Sequence, residues 1–404
     1  MNLSSIKVKN IFISLLFIVL FFQQTVFFDK IPLISYVDEI SVILMIIYLL
    51  FNSRPLFMLL RLSRIDKVIA IASVISIIIG IFSSLTYQLQ SLFVSLLDMF
   101  LCIKFLVAYF FIRVYVRNNQ LNITTFNPLF LVLSLFIIFS FLINAVFKVF
   151  GYFDIRFGIK SIQLFFMHPV FLSIALMILI SIMTLNVKKH RINSIIIVFL
   201  LIVLFFTLRT SSIAFILIYI AAWVYIKFFK LITPKTVFLT LCFIITLFIG
   251  IDQFARYYQR LDNVRGVMLH DGFNYAINLF PLGNGFGTFG SFCAIKYGSP
   301  IYTELNYYSL WMFTSFSTDC FLALSLGQFG LIGTSCWIIV LICFILKAFK
   351  QKSEIIFLAL FPVGAYMLIS MLNTTSIFHP ALLCLILSYG MILETYNQKF
   401  IEEI

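Results

Sequence analysis

The chain has 404 residues, of which 63% are hydrophobic and only 11% are charged, and its formal net charge is +13. A soluble domain is about half apolar and a quarter charged. The composition therefore excludes an ordinary soluble domain and indicates an integral membrane protein. In such a protein the positive charge first reports topology, because Lys and Arg remain on the cytoplasmic side. We therefore expect membrane lipids, and not nucleic acid, as partners.

Apolar runs of about 20 residues predict membrane-spanning helices. The first run follows MNLSSIKVKN without a small-x-small cleavage site, so an uncleaved first helix is expected in place of a signal peptide. The boundary between the seventh and eighth helices falls at Arg209. Twelve helices are predicted, at 11–28, 34–52, 68–86, 91–112, 128–150, 164–185, 194–209, 211–229, 236–251, 319–346, 355–372 and 379–394.

The loops alternate in charge. Every even-numbered predicted helix ends at a cluster of Lys and Arg, which predicts that both termini are cytoplasmic. The predicted organisation is helices 1–9 over 1–251, an extracytoplasmic loop domain over 252–318, and helices 10–12 with a cytoplasmic tail over 319–404. The fold class is thus an all-α polytopic membrane protein of about twelve helices, with one long external loop between helices 9 and 10.

A glycine-rich stretch, PLGNGFGTFG, occupies residues 281–290 and contains GxGxxG. A dinucleotide site needs a strand before this pattern and a helix directly after it. The preceding DGFNYAINLF has helical spacing, and the loop is predicted to be external, so a dinucleotide site is excluded. Gly283, Gly285 and Gly287 are expected to shape the loop, while a cradle of backbone N–H groups for an anion stays open.

Three segments carry a further pattern. Arg209 lies in TLRTSS between two apolar runs, Arg265 precedes a helical stretch and then P-L-x-G-x-G, and Asp319 precedes the glycines of LGQFGLIG. In this order, with the long loop between the first and third, they resemble the O-antigen polymerase (Wzy) and O-antigen ligase superfamily. The motifs cover roughly residues 200 to 335.

The sequence departs from the family pattern at three positions, the first of which is Leu208, where the family has Ser before the arginine. Cys320 stands where Asn is usual, and Gln328 stands where Glu is frequent. Many ligases of the superfamily carry His at the position of Asp319, so the aspartate favours a polymerase over a ligase.

The resemblance implies a glycosyltransferase without a cofactor at the outer face of the bacterial plasma membrane. No metal-ligand cluster is visible in the sequence, so metal-independent transfer is expected. It would transfer a glycan from undecaprenyl pyrophosphate to another lipid-linked repeat unit, with a chain-length regulator protein as a further partner. Because Arg donates bidentate bonds to phosphate oxygens, cationic side chains would hold the leaving pyrophosphate. The candidates for this role are Arg209, Arg265, Arg260 and Arg256. The candidates for the base that takes the acceptor proton are Asp319 and His270.

Other interpretations of these features remain open. A ligase would transfer the glycan to a lipid core, and a lipid-linked oligosaccharide flippase often also has about twelve helices. A scaffold protein would not need the arginines. Arg209 could simply extend to lipid headgroups, and Asp319 could only cap the following helix.

Several charged residues lie within or beside the predicted helices. Asp98 and Lys104 lie within the fourth helix, and such charges are candidates for function, each with a partner on another helix. Asp38 and Glu39, near the outer end of the second helix, are expected to be solvated. A His-Pro pair precedes the sixth and twelfth helices, and it is expected to start each helix.

Overall fold

The computed structural model describes residues 3–28, 31–51, 63–156, 158–187, 190–229, 263–309, 320–373 and 379–402, with 237, 238, 240, 244, 251, 255 and 318.

Within these ranges the chain is almost entirely helical. The α-helices are α1 (Leu3–Phe22), α2 (Val37–Phe51), α3 (Arg64–Tyr87), α4 (Leu92–Asn119), α5 (Asn127–Phe147), α6 (Pro169–Thr184), α7 (Ile192–Phe206), α8 (Thr210–Val224), α9 (Val264–Asn278), α10 (Phe292–Lys296), α11 (Pro300–Glu304), α12 (Phe321–Phe349), α13 (Glu354–Asn373) and α14 (Pro380–Glu402).

Short elements join these helices. Three 3-10 helices span Pro32–Tyr36, Ile123–Phe126 and Tyr307–Ser309, and a π-helical turn over Tyr225–Phe229 continues α8. Between α5 and α6, strands β1 (Ile155–Arg156) and β2 (Ile159–Lys160) form an antiparallel hairpin.

Several helices are consistent with a multi-pass all-α membrane protein. Seven described segments are long and apolar enough to span a bilayer, and four further apolar helices are shorter. Each predicted span has a counterpart helix except the ninth, 236–251, most of which lies outside the described residues. The seven segments are Ile34–Phe51, Arg64–Tyr87, Leu92–Asn119, Ile123–Phe147, Thr210–Phe229, Phe321–Phe349 and Glu354–Met371.

Helix ends are set by residues that suit the first turn. The Ser63 hydroxyl accepts a hydrogen bond from the Asp66 N–H and caps α3. His168 caps α6 through Nδ1, and Pro169 occupies the first turn. Before α12, the cap is Cys320, whose Sγ accepts from the Ala323 N–H. Cys320 thus takes the cap position that was open to Asp319, which itself lies outside the described residues.

The centre of the bundle is α6, in which every residue from Pro169 to Thr184 is buried except the half-buried Phe171. A helix that is apolar on all sides needs neighbours on all sides, and α6 packs against α5, α7, α13 and α14. On the other side of the bundle, α12 packs against α3, α9 and α13.

Helix α12 is broken at Gly330, and the glycine-rich stretch fills the break. Gly330 has φ 65° and ψ −168°, which is outside the helical region. The N–H groups of Asn284 and Gly285 donate to the carbonyls of Gly327 and Gln328, at 2.8 and 3.0 Å. The glycine-rich stretch and the glycine motif of α12 therefore form one structural unit.

The same stretch also bonds to the outer turns of α3 and to α4. The N–H of Gly283 donates to Ser83 Oγ at 3.1 Å, and that of Phe286 donates to Ser84 Oγ at 2.9 Å. Gly287 donates to Asp98, so each N–H from 282 to 287 has a partner inside the protein. These bonds argue against the idea of an anion cradle in this run.

A buried ionic network ties four helices at the opposite end of the bundle. Asp66 of α3 accepts from Arg113 of α4 and from Lys347 of α12, both at 2.5 Å. Glu394 of α14 accepts from Arg113 at 3.1 Å and from Arg117 at 2.7 Å. Three cations thus share two carboxylates in the described bundle, and Asp66 and Glu394 are almost fully buried.

Candidate functional site

A polar cavity of about 240 Å³ lies where α2 and α14 begin. A single water needs only about 15 Å³, so the cavity can hold a small molecule or part of a larger one. Its wall combines the connection between α1 and α2, the middle of α4, and the end of the glycine-rich stretch. The lining residues are Gln24, Ser35, Asp38, Glu39, Asp98, Leu101, Lys104, Gly290, Ser291, Phe292, Thr318, His379 and Pro380.

Lys104 is the centre of this cavity's charged wall. Its Nζ lies 2.5 Å from Asp38 Oδ2 and 2.8 Å from Glu39 Oε1. The Gln23 amide donates to the other oxygen of Asp38 at 2.7 Å. Asp38 is buried with 2% of its side chain exposed, so the expectation that it is solvated is wrong. An intramembrane ammonium needs a counter-charge, and α2 supplies it.

Glu39 differs from Asp38 in its environment. Its side chain is 26% exposed, and one carboxylate oxygen is bound to Lys104. The other oxygen, Oε2, is shielded from solvent and accepts no hydrogen bond from the described residues. A buried carboxylate oxygen without a donor is costly. The Glu39 and Asp38 carboxyl groups also lie within hydrogen-bond reach of each other, so with Lys104 they form one cluster in the cavity wall.

Asp98 lies deeper in the cavity and holds the glycine-rich stretch. Its Oδ2 accepts from the Gly287 N–H at 2.7 Å. Asp98 and Lys104, which lie on different faces of α4, thus have different partners, as their spacing predicts. The expected partner on another helix exists for both residues: Lys104 pairs with α2, and Asp98 also has a side-chain hydrogen bond with Gln328 of α12.

Arg209 lies between α7 and α8, at the residue directly before α8, and 11% of its side chain is exposed. Its Nη2 lies 3.5 Å from Asp154 Oδ2, and its guanidinium lies 5.1 Å from the ring centre of Phe153. The division of two helices at Arg209 is confirmed. The guanidinium is partly neutralised by one carboxylate and stacked on one aromatic face.

Two histidines and two phenylalanine rings lie between Arg209 and the cavity. The ring of Phe153, which Arg209 covers, lies 4.6 Å from that of His168. The ring of Phe171 lies 5.9 Å from that of His168 and 5.2 Å from that of His379. The pKa of His168 is lowered to about 4. Burial is the largest cause, followed by the positive charge of Arg209 and by the nearby His379. The pKa of His379 is also lowered to about 4, chiefly by burial and then by the positive charge of Lys104. Both imidazoles are therefore neutral at pH 7.

These histidines predict acid sensitivity. In the folded state the buried imidazole stays unprotonated until the pH falls towards 4, whereas in the unfolded state it binds a proton below about pH 6.5. Stability should therefore decline as the pH falls from about 6.5 towards 4, and His168→Asn, which retains a good cap, should flatten that decline. Thermal unfolding at a series of pH values measures this. Equal slopes for the variant and the wild type would contradict the prediction.

The predicted site residues fall into three groups. Arg209 is not among the described lining residues of the cavity, and it lies beside His168. Arg265 lies in the first turn of α9, and His270, with 58% of its side chain exposed, bonds to the adjacent Asp271; neither lines the cavity. The remaining candidates lie outside the described residues: Arg256, Arg260 and Asp319.

The predicted loop-shaping glycines have conformations and neighbours that only glycine fits. Gly285 and Gly287 have φ of 92° and 72°. A Cβ on Gly283 would lie 2.5 Å from the carbonyl group of Gln328. These glycines thus let the stretch lie against α12 and α3.

Sequence reasoning missed Asp38, Glu39 and His379 as cavity residues. The signal for Asp38 and Glu39 was available, because Lys104 within an apolar helix demands a carboxylate partner. No spacing rule connects α2 with α4, so the partner could be named only from the packing of the helices.

Comparison with protein-family models and with curated protein sequences finds no match for this chain.

Proposed function

We propose that the chain is a bacterial surface polysaccharide repeat-unit polymerase. It transfers a glycan from undecaprenyl pyrophosphate to another lipid-linked repeat unit at the outer face of the plasma membrane. The observation that supports this proposal is a row of side chains that leads to the cavity: Arg209, Phe153, His168, Phe171 and His379. The row combines a cation suited to a pyrophosphate with carboxylates suited to sugar hydroxyls.

Arg209 is the group we assign to the leaving pyrophosphate. Its planar guanidinium stays protonated and can donate two parallel bonds to phosphate oxygens. Charge develops on the pyrophosphate as the glycosidic bond breaks, so a fixed cation stabilises the transition state more than the ground state. The neighbouring Asp154 and Phe153 hold the side chain in place before substrate binds.

The neutral state of His168 also suits this assignment. A second cation this close to Arg209 would bind the pyrophosphate product tightly and slow its release. A neutral imidazole instead offers one hydrogen-bond donor, because Nδ1 already accepts from the Val170 N–H at 3.2 Å. The cap of α6 thereby fixes which ring nitrogen carries the proton.

The test uses purified protein in lipid vesicles with the cell's own pyrophosphate-linked repeat unit as the sugar source. Arg209→Ala should reduce polymer formation about 100-fold or more, and Arg209→Lys should restore only part because it loses the planar fork. Lys160→Ala is the matched control, since it removes a cation from the exposed hairpin. Polymer from Arg209→Ala at the control's rate would refute this role.

The same assay separates the rival functions. A ligase would give product only after a lipid core acceptor is added. A flippase would move the lipid-linked unit across the vesicle membrane without a new covalent product, and the broken α12 is the feature that favours it, since transporters use interrupted helices at their sites. Here the carbonyls at the break already accept bonds from Asn284 and Gly285, which favours a structural role for the break.

A further inference from the structure

The cavity and the surroundings of Arg209 differ in charge. The ionisable side chains among the described lining residues are three carboxyl groups, one ammonium and one imidazole: Asp38, Glu39, Asp98, Lys104 and His379. The Lys104 ammonium is already paired with Asp38 and Glu39, so this wall offers no uncommitted cation to a phosphate. Arg209 is not among the described lining residues, and its guanidinium is the group that suits a pyrophosphate.

The shape and chemistry of the cavity suit an uncharged glycan. Carboxylate oxygens accept bonds from hydroxyl groups, and the Lys104 ammonium donates to them. Phe292, with 58% of its surface exposed, lies at the lining and offers an apolar face to a sugar ring. Ligand pockets commonly combine a few fixed polar groups with apolar walls in this way.

We propose that this cavity binds the acceptor sugar, and that Glu39 takes the proton from its reacting hydroxyl. This inference rests on the proposed function, and it assigns the donor and the acceptor to different parts of the site. The donor pyrophosphate lies at Arg209, and the acceptor end lies among the carboxylates. Glu39 Oε2 is the acceptor atom because Lys104 already occupies the other oxygen.

The transfer step balances with these groups alone. The acceptor hydroxyl oxygen attacks the anomeric carbon of the donor sugar and forms the new C–O bond. The bond from that carbon to the pyrophosphate oxygen breaks, and its electron pair leaves with the lipid pyrophosphate beside Arg209. The hydroxyl proton passes to Glu39 Oε2 and then to water. Lys104 orients the Glu39 carboxylate and is a positioning residue.

The first arm of the test needs no turnover. Ser35 lines the cavity and is exposed, so the full chain with Ser35→Cys is labelled in lipid nanodiscs with thiol reagents of opposite charge. The cationic reagent should react several-fold faster. The released oligosaccharide of the cell's own repeat unit should slow labelling, and inorganic pyrophosphate should not. Ile159→Cys, beside the basic residues of the hairpin, is the control and should not be protected by the oligosaccharide.

The second arm measures turnover in the vesicle assay. Glu39→Gln retains the shape of the side chain and should lower turnover at least about 100-fold, the usual scale for a general base. Binding of the lipid-pyrophosphate donor should stay within about twofold. The rise of the residual rate with pH should disappear in the variant. Glu304→Gln, an exposed carboxylate on α11, is the matched control for loss of one negative charge.

The outcomes separate the two proposals. Protection of Ser35→Cys by pyrophosphate in place of the oligosaccharide would overturn the inference, as would full turnover by Glu39→Gln. Polymer formation by the wild type together with either result would leave the proposed function standing. Protection by the oligosaccharide without any polymer from the wild type would refute the polymerase and retain the cavity as a sugar site.

Discussion

Gly330→Ala should prevent the chain from reaching a stable fold. The backbone at this residue has φ 65° and ψ −168°, a conformation open essentially to glycine alone, so any side chain adds about 1–3 kcal/mol of strain. A Cβ would also clash with the Leu282 carbonyl oxygen. The contact atom is backbone, and it belongs to the stretch that fills the break, so it cannot move alone.

The measurement is the yield of monodisperse protein in mild detergent and its unfolding temperature. Gly283→Ala should cause a similar loss from the other side of the contact, because its Cβ would meet the Gln328 carbonyl. Gly158→Ala is the matched control: its φ is also positive, at 76°, but no atom lies within 4 Å of the added carbon. Equal unfolding temperatures for Gly330→Ala and Gly158→Ala would show that the inserted stretch does not stabilise the bundle.

Asp66→Asn should be the most destabilising change of a single charge. Asp66 is the shared acceptor for Arg113 and Lys347, and Tyr109 and Ser63 also donate to it. Removing one member of a buried ion pair leaves a buried charge without compensation, at a cost of about 3–5 kcal/mol. We therefore expect a large drop in unfolding temperature, whereas Glu304→Gln on the exposed α11 should change it little.

A double substitution tests whether the loss comes from the unpaired cation. Lys347→Met removes one of the two cations that form ion pairs with Asp66. If the interpretation is correct, Asp66→Asn combined with Lys347→Met should be less destabilising than the sum of the two changes. Strict additivity would mean that Asp66 stabilises the bundle by some route other than these pairs.

The sequence predicts the helices of this bundle better than their contacts. Long apolar runs and flanking cations fix where spans occur, and the split at Arg209 is marked by its charge between two such runs. The break in α12 is not visible, because LGQFGLIG has the hydropathy of a continuous span. Only its contact with Leu282 and Gly283 gives the glycine its conformation.

In the candidate site, too, single residues are predicted better than their partners. Arg209 between two helices and Lys104 within a span are both conspicuous in an apolar sequence, and Lys104 lines the cavity. Asp38 and Glu39 are adjacent to a predicted loop, so their local sequence suggests hydration. Their burial depends on Lys104, which is 65 or more positions away, and periodicity within one helix carries no such information.

The ionic network also bears on the order in which the protein is made. Arg113 is synthesised long before Glu394, its partner on α14, and the two meet only when this late helix packs against α4. Until then, a nascent chain carries an arginine inside an apolar bundle with part of its countercharge missing. A chain interrupted before residue 394 would keep that defect permanently, so the membrane's proteases should clear it faster than the finished protein.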